Sequence, residues 1–223
     1  MRAMHKVVMT GATGVVGSKA LAELLSRGHP VVALGRRALA QPHAQLVSSV
    51  VDLASVESIA AAIPDGIEHA ICGLGTTMKQ AGSKEAFRAV DFDAVVNFGK
   101  ACKQRGVKRF VLVSAIGSNA KSSNFYLRTK GEAEEALAAL GFDQLTLMRP
   151  SFIDDEGSRQ DDRLGEKLGL PVAKALFTVI GKTNKYAPIT ATTLGKGAVT
   201  FLFDQANEKV RFPEGKALFL AGA

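Results

Sequence analysis

The chain has 223 residues, 47% of them apolar, which suits one domain with a substantial core. Its 28 Lys and Arg against 21 Asp and Glu leave a formal net charge of +7. The cations are scattered and the sparse aromatics do not interleave with them, so a nucleic-acid platform is not expected. No run reaches the roughly 20 apolar residues of a membrane span, and no leader pattern precedes Thr10. Two cysteines, Cys72 and Cys102, and four histidines, His5, His29, His43 and His69, lack metal-ligand spacing. The expectation is therefore no metal, no membrane, no nucleic acid, and a cytoplasmic setting with reduced thiols.

In chain order, a strand is expected over residues 5–10, with the apolar run Val7-Val8-Met9, and a helix over 15–27. Between them lies Thr10-Gly11-Ala12-Thr13-Gly14-Val15-Val16-Gly17. Strand, glycine turn and helix in that order hold a pyrophosphate. The chain must turn sharply, its backbone must approach the diphosphate, and the helix must sit tight on the strand, and a side chain at Gly11, Gly14 or Gly17 would obstruct one of these. The first N–H groups of the helix then face the anion. A second strand over 31–35 leads through Gly35 to Arg36 and Arg37. An acid there would bond a ribose hydroxyl and repel a 2′-phosphate, whereas guanidinium groups grip it, so NADP(H) is expected ahead of NAD(H). A third strand, over 45–51, delivers Asp52 and Leu53 to a position suited to adenine, with helix capping before Ser55 as the competing role of Asp52.

Helices follow over 55–63, 84–105 and 124–140, the last two ended by Gly106 and Gly141, and strands over 69–73, 109–114 and 144–149, the last stopped by Pro150. Phe110-Val111-Leu112-Val113 is continuously apolar, as a parallel strand covered on both faces should be. Repeated βα units with right-handed crossovers predict an α/β, Rossmann-like, doubly wound parallel sheet with helices on both faces, one domain over residues 1–223. Ligands of such a sheet lie outside the carboxyl ends of its strands, where the glycine turn, Arg36, Asp52, Gly73 and Ser114 all fall. After Pro150 the alternation breaks. A polar surface loop over 154–163, a helical pattern over 164–180 interrupted at Pro171, a helix over 190–204 and a strand near 217–220 complete the reading. Residues 151–190 are the expected small substrate or lid region, with a dimer surface as the alternative.

In Tyr126-Leu127-Arg128-Thr129-Lys130 a spacing of four puts phenol and ammonium on one helical face. Ser114 ends a strand twelve residues upstream, near enough in this fold for its hydroxyl and the phenol to converge on one carbonyl. Lys130 and a positively charged nicotinamide would both favour the phenolate.

The glycine spacing, the serine and Tyr-x-x-x-Lys together resemble the short-chain dehydrogenase/reductase superfamily, in its atypical branch. The segments Cys72-Gly73-Leu74-Gly75-Thr76-Thr77, Ser122-Ser123-Asn124-Phe125-Tyr126 and Lys130-Gly131-Glu132 are similar to its NAD(P)H-binding group that includes the Tat-interacting, tumour-suppressor-type proteins. The likeness covers nearly the whole chain and is weakest over 154–185. It implies that Gly11, Thr13, Gly14, Val15 and Val16, backed by Gly17, hold the pyrophosphate. By the same resemblance Arg36 and Arg37 take the 2′-phosphate, Asp52 and Leu53 the adenine, and Leu74, Gly75, Thr76 and Thr77 the middle of the cofactor. The turn Arg149-Pro150-Ser151-Phe152-Ile153 would abut the nicotinamide through Pro150 and Ile153. Ser114, Tyr126 and Lys130 would form the catalytic set, Lys130 also bonding the nicotinamide ribose, with Ser118 as an alternative to Ser114. One departure is the Asn-Asn-Ala-Gly run of many superfamily members, replaced here by Cys-Gly-Leu-Gly, which removes any relay through that asparagine. The resulting expectation is an NADP(H)-dependent oxidoreductase acting on a small carbonyl or alcohol. The alternative is an NADPH-binding redox sensor that signals to a regulatory protein partner, and a homodimer through exposed helices is compatible with both.

Overall fold

The computed structural model describes residues 4–40, 42–157 and 185–223. Its strands are β1 (Val7–Thr10), β2 (Val31–Gly35), β3 (Leu46–Val50), β4 (His69–Cys72), β5 (Arg109–Val113), β6 (Gln144–Met148), β7 (Ile153–Asp154), β8 (Ile189–Thr190) and β9 (Val210–Arg211). Among the described residues, seven of these form one sheet in the order β3-β2-β1-β4-β5-β6-β9, every pairing parallel. The order reverses between β1 and β4, and the crevice at that switch point is where a ligand of such a sheet belongs. The expected Rossmann-like fold is the one formed.

Residue types explain the layers. The central strands β1, β4 and β6 are buried along their whole length, whereas the edge strand β3 has no fully buried residue and leaves Val47 and Val50 exposed. One face of the sheet is covered by α2 (Val56–Ala61), α5 (Val95–Gln104) and α6 (Phe125–Ala138), through Ile59, Phe98, Cys102 and Leu137. The other is covered by α1 (Val15–Ser26), α7 (Ala191–Phe203) and α8 (Lys216–Ala221), through Ala20, Leu24, Leu194, Val199 and Leu218. Each fully buried Leu, Val or Phe side chain contributes about 1.5–3 kcal/mol. The helices α1 and α7 meet backbone to backbone, since a Cβ at Gly195 would fall 2.5 Å from Lys19 Cβ and 2.7 Å from Ala20 N. That contact sets how α1 lies on the sheet.

Several elements differ from expectation. The helix read over 84–105 is continuous, but between α4 (Lys84–Arg88) and α5 it passes through a π-helical segment, Ala89–Ala94, that keeps Asp91 in the interior. A short α3 (Met78–Ala81), started by the Thr77 hydroxyl accepting from Gln80 N–H at 3.2 Å and stopped at Gly82 with φ +78°, was not foreseen. The strand expected near 217–220 is helix α8, in which Leu218 alone is buried; a four-residue apolar run does not distinguish strand from helix. The seventh sheet strand is instead β9, whose two residues carry no readable period. The pair β7 and β8 forms a separate parallel ladder, Ile153 against Ile189 and Asp154 against Thr190. The helical pattern over 164–180 lies outside the described residues, as does most of the loop read over 154–163.

At the end of the sheet away from the crevice, His5, His29 and His69 surround Phe203, the last residue of α7, with ring centroids 4.4–5.3 Å from it. Burial, with the positive charge of His5 and Arg109 adding, pushes His69 down to about 4. The native state therefore refuses a proton that the unfolded chain takes up near its ordinary value. The stability this contributes is present above about pH 6.5 and is lost as pH falls toward 4. In urea denaturation at stepped pH, His69→Gln is expected to flatten the loss between pH 6.5 and 4 by on the order of 1–3 kcal/mol relative to the wild type.

Candidate cofactor cleft and active site

The turn after β1 is built from backbone in contact with backbone. Gly11 has φ +79°, and a Cβ on it would lie 2.3 Å from the carbonyl carbon of Gly73, at the end of the neighbouring β4. A Cβ on Gly17 would lie 2.0 Å from Gly11 O, and Gly14 N–H donates to that same oxygen at 2.9 Å. The N-cap of α1 is Gly14, with no side-chain cap and no acid in the first turn, so the first N–H groups of the helix are left for an anion. A pyrophosphate fits this cradle. Gly11, Thr13, Gly14, Val15 and Val16 all line the crevice, while Gly17 lies behind them as packing.

Toward the β2 side the crevice is lined by Arg36, Arg37, Asp52, Leu53, Leu74, Gly75 and Thr76. Both guanidinium groups are exposed, and neither meets a carboxylate among the described residues. Asp52 Oδ1 accepts from Ala54 N–H at 2.9 Å, closing a local turn. The capping role belongs to Ser55, whose hydroxyl accepts from Ser58 N–H at 3.0 Å at the start of α2. Asn97, on α5, donates to the carbonyls of Leu53 and Ala54 at 3.2 and 3.1 Å and holds that loop in place.

The other half of the crevice is a cavity of about 360 Å³ that brings together Gly14, Val15, Val16, the segment from Gly73 to Met78, Val113, Ser114, Tyr126, Lys130, Ser151, Phe152 and Ile153. Ser114 follows β5 directly, and its N–H donates to Met148 O at 2.7 Å. Ser118 stands behind it. The two hydroxyl oxygens are 3.2 Å apart, and Ser118 spends its one proton on Ala115 O at 2.7 Å, so it accepts from Ser114. Helix α6 begins with Asn124 accepting from Leu127 N–H at 3.2 Å and carries Tyr126 on its first turn, its ring 5.6 Å from that of Phe87. Gly131 lets the helix press onto the loop after Ser118, where a Cβ would fall 2.2 Å from Ala120 N. Arg149 ties the same helix to the end of β6 by donating from Nε and Nη2 to Glu134 at 3.1 and 2.5 Å. Of the turn that follows, Ser151, Phe152 and Ile153 reach the cavity; Pro150 does not, being buried, with its carbonyl accepting from Ile116 N–H at 2.8 Å.

Lys130 is buried, its Nζ 2.7 Å from Oδ1 of Asp91, a residue absent from the expected site. The other oxygen of Asp91 accepts from Thr76 N–H at 2.9 Å. Burial works against the ammonium, but the Asp91 carboxylate, with Tyr126 and Cys72 adding, outweighs it and holds Lys130 above the usual lysine value. The sequence did carry a signal for Asp91: it stands on the same helical stripe as Phe87, Val95 and Phe98, an acid where the period demands an apolar residue. Cys72 is fully buried and its thiol is pushed up to about 12 by that burial, which makes it a core filler rather than a reactive sulfur.

Residues 11–175 match the protein family described as NAD(P)H-binding. Protein fmp52, mitochondrial, of Emericella nidulans is 31% identical over 229 residues, covering 99% of this chain and 97% of that one. Protein HTATIP2 of Rattus norvegicus is 35% identical over 223 residues, covering 97% and 88%. Among solved structures, the Bordetella bronchiseptica enzyme WbmG in complex with NAD superposes with a TM-score of 0.70 at 15% identity, covering 96% of this chain and 73% of that one, a likeness of fold. The mitochondrial naming recurs across relatives from several fungi and overturns the expectation of a cytoplasmic protein. That expectation leaned on the lack of a leader pattern and on two unpaired cysteines, neither of which reports a compartment. Among the described residues no helix is long and apolar enough to cross a membrane.

The glycine contacts make the turn intolerant of a single methyl group. Gly17→Ala is expected to force α1 away from the turn and to raise the dissociation constant for NADPH at least about tenfold, the equivalent of ~1.4 kcal/mol, in a fluorescence titration.

Proposed function

This chain belongs to the NAD(P)H-binding family, and on that premise we propose that it is an NADP(H)-dependent oxidoreductase of the short-chain dehydrogenase/reductase type, moving hydride to or from a carbonyl or alcohol carbon. The observation that carries the reading is one cavity whose walls hold the Gly14–Val16 turn on one side and Ser114, Tyr126 and Lys130 on the other. When bound, the nicotinamide supplies or accepts the hydride. The protein does the rest. Backbone N–H groups from Gly14 onward hold the pyrophosphate, and Leu74 and Thr76 flank the middle of the crevice. The Ser114 hydroxyl, turning its proton from Ser118 to an entering carbonyl, orients the substrate oxygen. The Tyr126 phenol donates its proton to that oxygen on reduction and takes one back on oxidation. Met78, Val113 and Ile153 give the cavity apolar walls that exclude water from the reacting carbon.

The preference for the 2′-phosphorylated coenzyme rests on Arg36 and Arg37, two guanidinium groups at the crevice mouth that form no salt bridge with a carboxylate among the described residues. A phosphate gripped by charge-assisted hydrogen bonds gains about 1.5–3 kcal/mol for each. The double substitution Arg36→Ser, Arg37→Ser is expected to weaken NADPH binding by about 10–100-fold and leave NADH binding within about threefold, by fluorescence titration of both nucleotides.

The reading as an enzyme is tested by oxidation of NADPH against a panel of aldehydes, ketones and quinones. Tyr126→Phe is expected to lower kcat by about 10²–10⁴-fold while NADPH affinity stays within about threefold. Wild-type protein that binds NADPH yet turns over no member of the panel would favour the sensor with a protein partner instead.

A further inference from the structure

The buried ion pair beneath the cavity supports a step beyond this, which rests on the oxidoreductase reading of the same site. Asp91 is fully buried in the π segment, and its two oxygens join three parts of the site: Oδ1 stands 2.7 Å from Lys130 Nζ on α6, and Oδ2 accepts from Thr76 N–H on the loop after β4. Gly75 lies over the pair, close enough that a Cβ there would sit 3.5 Å from Lys130 Nζ and 3.6 Å from Asp91 Oδ1. The groups facing the ammonium are Asp91 from the π segment, Tyr126 from its own helix, and the neutral Cys72 thiol from β4. A phenol beside a lone buried ammonium meets a full positive charge. Beside an ammonium and a carboxylate in contact it meets a dipole, whose field falls off much faster.

We propose that Asp91 is a positioning residue that fixes the direction of the Lys130 ammonium and cancels most of the charge that ammonium presents to Tyr126. The fixed charge at the active site is then close to neutral, and the ionisation of the phenol answers chiefly to the charge of whatever enters the cavity.

The chain suits a direct test, because it holds two tyrosines and no tryptophan. In a Tyr186→Phe background the tyrosinate absorbance reports Tyr126 alone, without any turnover. Burial would strip the proton from an uncovered Lys130, so the charge is held with Lys130→Arg, and adding Asp91→Asn to that variant is expected to move the tyrosinate midpoint down by about one pH unit or more. Asp91→Glu, which keeps the charge, should return the midpoint to near that of the parent. Lys130→Met alone should raise it. The double variant Asp91→Asn, Lys130→Met should fall within about half a unit of the parent, because a neutral pair has replaced a neutral pair. Replacing both charges together is also the change a buried ion pair tolerates best, so the test survives if Asp91→Asn does not fold. An unmoved midpoint when Asp91→Asn is added to Lys130→Arg, or an Asp91→Asn, Lys130→Met double variant that matches Lys130→Met, would overturn the inference. Either result can coexist with full NADPH oxidation, and the expected shifts can coexist with no oxidation of any substrate, so the failure of this inference and of the enzyme reading are told apart.

Discussion

At the switch point of the sheet three stretches of backbone touch with no side chain between them: the turn at Gly11, the end of β4 at Gly73, and the first turn of α1 at Gly17. Everything at the cleft depends on that contact. It brings the N-terminus of α1 over the ends of β1 and β4, and it leaves room for a diphosphate against the N–H groups of the helix. The arrangement is braced from behind, where Gly195 lets α7 lie against Lys19 and Ala20. Helix α7, none of whose residues lines the cleft, thus helps to hold the glycine turn in register.

The second constraint is electrostatic. A buried lysine is costly unless something compensates it, and here compensation comes from an aspartate that the π segment keeps inside the fold. The same carboxylate accepts from Thr76 N–H, so the loop that runs along the crevice and the helix that carries the phenol share one anchor. Packing around Gly131 and the Arg149–Glu134 pair adds two more attachments to that helix. Tyr126 therefore stands on a rigid element rather than on a loop, as the acid–base role proposed for it requires.

Much of this is legible in the sequence. The order of strands and helices, the glycine turn and the convergence of Ser114, Tyr126 and Lys130 on one cavity are local features, each carried by a run of residues with a clear period or by a fixed spacing. What escaped was non-local or too short. The pairing of β9 with β6 rests on two residues, and α8 was read as a strand because four apolar residues suit either element. Asp91 escaped because its partner lies 39 positions further along the chain and no spacing rule connects them. The choice between Ser114 and Ser118 needed coordinates as well: both are buried, and only their positions show that one faces the cavity and the other stands behind it.

The short ladder of β7 with β8 ties one wall of the cavity to the opposite face of the sheet. It pairs Ile153 with Ile189 and Asp154 with Thr190, about 5 Å apart; Ile153 lines the cavity and Thr190 caps α7. Because α7 also lies on α1 through Gly195, a displacement of α7 moves Ile153 and the helix behind the glycine turn together, so the two halves of the cleft share one mechanical support.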